Sequence, residues 1–316
     1  MIKNKDLLYD GELPMKKLRV ILMGLLLLLC MSACSNKQEK ENTDYTEKAQ
    51  KKYIDNLVKG KIDQAENNMG IEEELLYDEN DVKITVLKME KNEIQTILTL
   101  RIENQTEKDC TFYAEDISVN NCMIMGSCYQ VVDAGKKANT KIYLHNDEME
   151  ACGIERIGKI EFSIKMHEKD KYDDMLSTGP LCVKTNYANE NDYVYDDSGY
   201  VFYDDKDIKI VFKEISEDEM YLGPSLVFYV ENKTNKSVAV MEEDFSVNGY
   251  MVNAYLSAYL PPGKCAFSYM TIMETDLNEY GIKEFSEIEM SFRILDRNTW
   301  KAIAETDTVK MKINKK

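Results

Sequence analysis

Glu243-Asp244-Phe245-Ser246-Val247-Asn248-Gly249 has an earlier counterpart in the same chain, Glu115-Asp116-Ile117-Ser118-Val119-Asn120-Asn121, 128 positions before it. Other blocks hold the same register. Ile102-Glu103-Asn104-Gln105-Thr106 matches Val230-Glu231-Asn232-Lys233-Thr234, Gly135-Lys136 matches Gly263-Lys264, and Ile160-Glu161-Phe162-Ser163-Ile164 matches Ile288-Glu289-Met290-Ser291-Phe292. Near the start of each copy, Leu75–Ile84 and Val201–Ile210 align with an offset of 126, so two residues are inserted around Tyr221-Leu222-Gly223-Pro224. A Gly-Pro turn tolerates such an insertion. Chance does not keep one register over so many blocks, and the chain is read as a tandem duplication.

The duplicated blocks alternate apolar and polar residues with period two, and turn signals break them about every ten residues. In Ile97–Ile102, Leu98, Leu100 and Ile102 share one face. Asn248-Gly249 signals a type I′ hairpin, and Asn120-Asn121 can take the same left-handed conformations. The Asn-x-Thr after each strand reads as a turn in which the Asn side chain caps backbone. Each copy has about 110 residues, the size of an immunoglobulin-like sandwich. The expected fold is all-β: two tandem immunoglobulin-like β-sandwich domains, residues 75–186 and 201–316, joined by a linker at 187–200.

The front of the chain carries a sorting signal. Met15-Lys16-Lys17-Leu18-Arg19 is a basic segment, Val20–Leu29 is apolar apart from Gly24, and Ser32-Ala33 precede Cys34. Such an apolar run is short for a membrane span and fits a cleaved export signal. Met31-Ser32-Ala33-Cys34 resembles a bacterial lipobox, with Met31 where Leu is usual, and implies diacylation of Cys34 and a stable membrane anchor. Residues 1–34 are therefore read as a lipoprotein signal peptide. Asp6, Asp10 and Glu12 do not suit such a segment, which points to translation from Met15. Residues 35–74 read as a polar tether with a helix-compatible stretch, its Tyr45, Ala49, Tyr53 and Leu57 spaced by four.

The strand-end, hairpin, Pro-Gly-Lys turn and late Gly-Ile…Ile-Glu-x-Ser motifs together resemble tandem β-sandwich lipoproteins of Gram-positive bacteria, immunoglobulin-like or telokin-like and of unknown function. That resemblance covers roughly residues 75–316. It implies a lipid-anchored protein on the outer face of the cytoplasmic membrane, and it supplies no catalytic residues.

Composition narrows the partners. The formal net charge of −17 argues against nucleic acid. The two histidines, His145 and His167, lie outside any zinc or triad motif, and His167 is expected in a solvated turn. The Asp-rich turns at 78–81 and 204–207 lack the EF-hand order and read as exposed loop acids. No cofactor, metal site or enzymatic activity is expected. No cysteine position is shared between the copies. Cys110 falls at a core position, while Cys182 and Cys265 fall at outward ones. Cys122 and Cys128 would lie about 20 Å apart on one continuous strand, too far to bond. A disulfide within copy one stays open.

One difference between the copies bears on function. Thr99, Arg101, Asn139 and Lys141 are polar at outward positions of copy one, but their counterparts are Val227, Tyr229, Phe267 and Tyr269. If the two strands are neighbours, copy two carries an aromatic patch, to which Tyr255 and Tyr259 add. Two readings stand: the patch packs against copy one or the stalk, or it is a binding face for a cell-envelope protein or cell-wall glycan. The expected function is a non-enzymatic binding or adaptor module. The alternatives are a structural spacer and a metal-dependent envelope enzyme.

Overall fold

In a computed structural model, residues 70–171, 173–188, 193–216 and 223–313 are described. The signal segment, Cys34 and most of the tether lie outside them. Among the described residues no helix is long and apolar enough to cross a membrane.

Copy one runs β1 (Glu74–Glu79), β2 (Val82–Lys91), β3 (Gln95–Asn104), β4 (Cys110–Val119), β5 (Cys122–Met123), β6 (Gly126–Ser127), β7 (Tyr129–Val132), β8 (Lys136–His145), α1 (Asn146–Ala151), β9 (Lys159–Glu168) and β10 (Asp174–Lys184). Copy two runs β11 (Tyr200–Asp204), β12 (Ile208–Ser216), β13 (Ser225–Asn232), β14 (Val238–Val247), β15 (Tyr250–Met251), β16 (Ala254–Tyr255), β17 (Ser257–Leu260), β18 (Cys265–Ile272), α2 (Glu274–Glu279), β19 (Glu287–Asp296), β20 (Ala302–Glu305) and β21 (Val309–Lys312). The architecture is all-β and sandwich-like.

The copies repeat one another in sheet order as well as in sequence. In copy one, β1-β2-β3-β8 form one sheet with β6 on β8, and β10-β9-β4 form the second with β5 and β7 on β4. In copy two, β11-β12-β13-β18 form the first, with β16 on β18. β14 and β19 form the heart of the second, with β15 and β17 on β14 and β20 and β21 on β19. Period-two alternation sends one row of each strand inward. Leu98, Leu100 and Ile142 in copy one and Leu226, Phe228 and Met270 in copy two are wholly buried, as their sequence alignment predicts. Phe202, Phe228 and Phe292 come from both sheets of copy two and meet edge to face at 5.5–5.8 Å. Burial of each such ring is worth roughly 2–3 kcal/mol.

The turns follow the sequence reading closely. Asn120 and Asn121 have φ of 52° and 76°, and Asn248 and Gly249 have 53° and 82°, the left-handed pair that a type I′ hairpin needs. Asp116 and Asp244, at φ 54° and 52°, form equivalent bulges where β4 and β14 slip against β9 and β19. Two expectations are corrected. The segment from Cys122 to Cys128 is not one strand, because β6 leaves the second sheet to pair with β8 in the first. His167 lies on β9 rather than in a turn, half-buried with its ring 5.8 Å from that of Tyr113.

The copies are fused through their sheets. β5 pairs in parallel with β18 at Cys122 and Cys265, so the second sheet of copy one and the first sheet of copy two form a single ten-stranded sheet. Each strand covers what would otherwise be an unpaired edge.

Candidate functional site: the junction of the two copies

The aromatic positions singled out in copy two are neighbours: Val227 lies opposite Tyr269 and Tyr229 opposite Phe267 across β13 and β18. They do not form an open face. Val227 and Tyr229 are 6% and 5% exposed, and Phe267 and Tyr269 are partly buried. Tyr229, Val211 and Cys265 join the hydrophobic core of copy one, and Phe267 packs against it. Of the two readings, packing against copy one is what Tyr229 and Phe267 do, while Val227 is buried and Tyr269 half-buried beside them. Apolar side chains at outward positions of copy two face another layer of protein. Tyr255 and Tyr259 remain exposed, on β16 and β17, outside the lining of the junction cleft.

Polar contacts lock the junction. Lys264 donates to the Glu161 carboxylate and, at 3.0 Å, to Asn121 Oδ1. The Cys265 N–H donates to the Asn121 carbonyl at 3.0 Å. Arg297 of copy two bonds Asp116 at the bulge of copy one. Burial would raise the Glu161 carboxyl pKa, but the hydrogen bonds from Lys159 and Lys264 outweigh it and hold the group below its ordinary range. The linker contributes Tyr195, whose hydroxyl donates to the Asn120 carbonyl at 3.0 Å and whose ring meets Phe267 edge to face at 6.4 Å. Burial pushes the Tyr195 and Tyr229 hydroxyls up, so both remain protonated.

A cleft of about 700 Å³ opens beside this seam. Its aromatic and apolar wall is Tyr193, Tyr195, Val227, Phe267 and Tyr269, and its polar rim includes Glu150, Asp196, Lys213 and Glu214. Lys213 is held by Asp196 at 3.0 Å and by the Asp196 carbonyl at 2.9 Å. Hydrogen bonds from Ser198 and Lys213 keep the Asp196 carboxyl well below its ordinary range, so the rim acid is charged. Three of the four aromatic-patch positions thus line a concave site rather than a convex one. A cleft of this size with mixed aromatic and charged lining suits small ligands or short segments of polymer. Sequence reasoning found Val227, Phe267 and Tyr269 but not Tyr193, Glu150 or Glu214, which reach the cleft from the linker, from α1 and from β12.

The acidic turns are occupied by their own surroundings. Asp205 accepts from the Asp207 and Ile208 N–H groups at 2.8 and 2.7 Å and from the Tyr203 hydroxyl at 2.9 Å, and Asp204 pairs with Lys233 at 2.7 Å. Among the described residues no group of His, Cys, Asp or Glu is arranged to hold a metal ion. A second aromatic cluster forms around Tyr259, which Trp300 and Arg297 join. Trp300, 56% exposed, meets Tyr259 edge to face at 6.3 Å, and the Arg297 guanidinium lies 5.3 Å from the Tyr259 ring centre.

No protein-family model and no curated protein matches the chain. Among solved structures it is similar to the YadV chaperone, at 9% identity and a TM-score of 0.21, over 69% of this chain and 92% of that one. It is also similar to a conserved domain protein from Bacillus anthracis, at 11% identity and a TM-score of 0.26, over 79% and 92%. A transglutaminase from red sea bream matches at 9% identity and a TM-score of 0.20, over 76% of this chain and 32% of that one. Likenesses at these scores carry no argument about what this chain does.

Proposed function

We propose that the protein is a lipid-anchored, non-enzymatic binding module of two immunoglobulin-like domains, held through Cys34 on the outer face of the cytoplasmic membrane of a Gram-positive bacterium. The observation that supports this reading is the aromatic-walled cleft at the junction. Phe267 and Tyr269 stand in its wall where copy one has Asn139 and Lys141, and Tyr193 and Tyr195 of the linker complete it. Tyrosine and phenylalanine faces stack on the apolar faces of sugar rings, and the carboxylates of Glu150, Asp196 and Glu214 accept hydrogen bonds from hydroxyls. Cell-wall glycan is the ligand class this lining favours.

Pelleting of the full chain with purified cell-wall glycan tests the proposal. Tyr269→Ala should reduce retention about tenfold, the equivalent of ~1.4 kcal/mol, with the melting temperature nearly unchanged, because Tyr269 is only partly buried. Undiminished retention in this variant would remove the cleft from the site. Absence of retention in the parent protein would favour the spacer reading, which draws on the fused sheet and the ion pairs across the junction.

A further inference from the structure

Three thiols meet where the copies join. Cys122 begins β5, Cys265 begins β18, and Cys152 follows the last residue of α1. They are 0%, 5% and 6% exposed, and all carry free thiols. Cys122 and Cys265 are direct Cα partners in the parallel pairing that fuses the sheets. Paired strands lie about 4.8 Å apart, inside the range of about 4.4–6.8 Å between Cα atoms that a disulfide accepts. Cys152 is also near enough to Cys122 to raise its thiol pKa. Copy two supports this second adjacency independently. The residues equivalent to Cys122 and Cys152 are Tyr250 and Tyr280, and their rings stack at 5.0 Å. The other described cysteines are separate: the Cys110 thiol donates to the Lys108 carbonyl, that of Cys128 meets the Thr140 hydroxyl at 3.4 Å, and Cys182 lies half-buried on β10.

We propose that Cys122 and Cys265 form a disulfide that joins the two copies covalently, and that Cys152 is the thiol that reacts first. Cys152 lines the cleft, whereas Cys122 is shut off from solvent. The oxidant is a small external disulfide. The Cys152 thiolate attacks one of its sulfurs, forming a mixed disulfide and releasing one small thiol. Cys122 loses its proton and attacks the Cys152 sulfur, releasing the second small thiol and forming Cys122–Cys152. Cys265 loses its proton and attacks Cys122, and Cys152 leaves and is reprotonated. In sum, Cys122 and Cys265 give up two electrons and two protons, and the external disulfide is reduced to two thiols. The neighbouring Cys152 and Cys265 thiols, and burial after them, hold the Cys122 thiol up, which makes exchange in the folded protein slow and favours bond formation during folding.

The test uses the full chain, reduced, unfolded and refolded in a buffer of reduced and oxidised glutathione, then alkylated and mapped by peptide mass spectrometry without reduction. A peptide pair linking Cys122 to Cys265, with Cys152 alkylated, is the expected result. The cross-linked protein should melt above its reduced form, since the bond closes a long loop of the unfolded chain. Cys265→Ser should stop at Cys122–Cys152. Cys152→Ser should slow oxidation of the folded protein by oxidised glutathione while preserving the final bond. Recovery of all three thiols alkylated, or a Cys122–Cys152 pair as the end product in the parent chain, would overturn the proposal. An unchanged rate in Cys152→Ser would overturn its role as the first thiol.

Discussion

Asn104 and Asn232 show at the residue scale why the Asn-x-Thr turn is repeated. Each is wholly buried, and each side-chain amide donates to carbonyls at 2.7 and 2.9 Å, Lys108 and Val132 in copy one and Lys236 and Leu260 in copy two, where Asn232 also reaches the Pro261 carbonyl at 3.0 Å. Their Oδ1 atoms accept from the Thr106 and Thr234 hydroxyls at 2.7 Å. The expected turn is present, and the Asn also bridges to the strand before β8 or β18, which sequence spacing does not reveal. Asn232→Ala should destabilise the protein by about 1–3 kcal/mol, the penalty for leaving buried carbonyls unpaired, read from the urea midpoint at constant slope. Glu148 supplies a pH signature. Burial pushes its carboxyl up to about 7, opposed by the Met125 N–H at 2.9 Å. A folded-state value above the unfolded one means that the folded protein binds more protons between about pH 4.5 and 7. Stability attributable to this group therefore falls as pH rises through that window. Glu148→Gln should remove roughly 1–2 kcal/mol of the stability change across that window, discounted for partial solvent screening.

Between elements, equivalent positions of the two copies have taken different work. The hairpin Asn120 and Asn248 do the same thing in both: each Oδ1 accepts N–H groups where β9 or β19 begins, from Gly158 and Lys159 or from Ser286 and Glu287. The next residue differs. Gly249 completes the turn, whereas Asn121 completes it and also receives Lys264 and the Cys265 N–H from copy two. Lys264 itself is buried, while its counterpart Lys136 is exposed. Lys264→Ala leaves Asn121 Oδ1 without its lysine donor and Glu161 with Lys159 alone, and should cost about 1–3 kcal/mol. Lys136→Ala should change stability by less than about 0.5 kcal/mol. Equal effects in chemical denaturation would show that Lys264 does not secure the junction.

For the whole molecule, the fused sheet should make the two copies one cooperative unit. Val211, Tyr229, Cys265 and Phe267 are buried or half-buried against copy one, so copy two expressed alone would expose a contiguous apolar face. Residues 193–316 alone should associate or aggregate where the full chain does not, as read by light scattering. The full chain should unfold in a single calorimetric transition with matching van't Hoff and calorimetric enthalpies. Two separate transitions would mean that the seam is too weak to couple the copies.

The repeat made much of the architecture legible without coordinates, because packing is local in period: residues two apart share a face, and inward positions such as Leu98 and Leu226 must stay apolar in both copies. Turn chemistry was equally readable, since left-handed backbone at Asn120-Asn121 and Asn248-Gly249 restricts which residues fit. What alternation cannot say is what lies beyond an outward face. Val227, Tyr229, Phe267 and Tyr269 were recognisable as apolar where polarity was expected, but whether solvent or protein covers them depends on contacts more than a hundred residues apart. The same holds for Cys122, Cys152 and Cys265. They have no motif spacing in the chain, and they come together only because an edge strand of one copy pairs with an edge strand of the other.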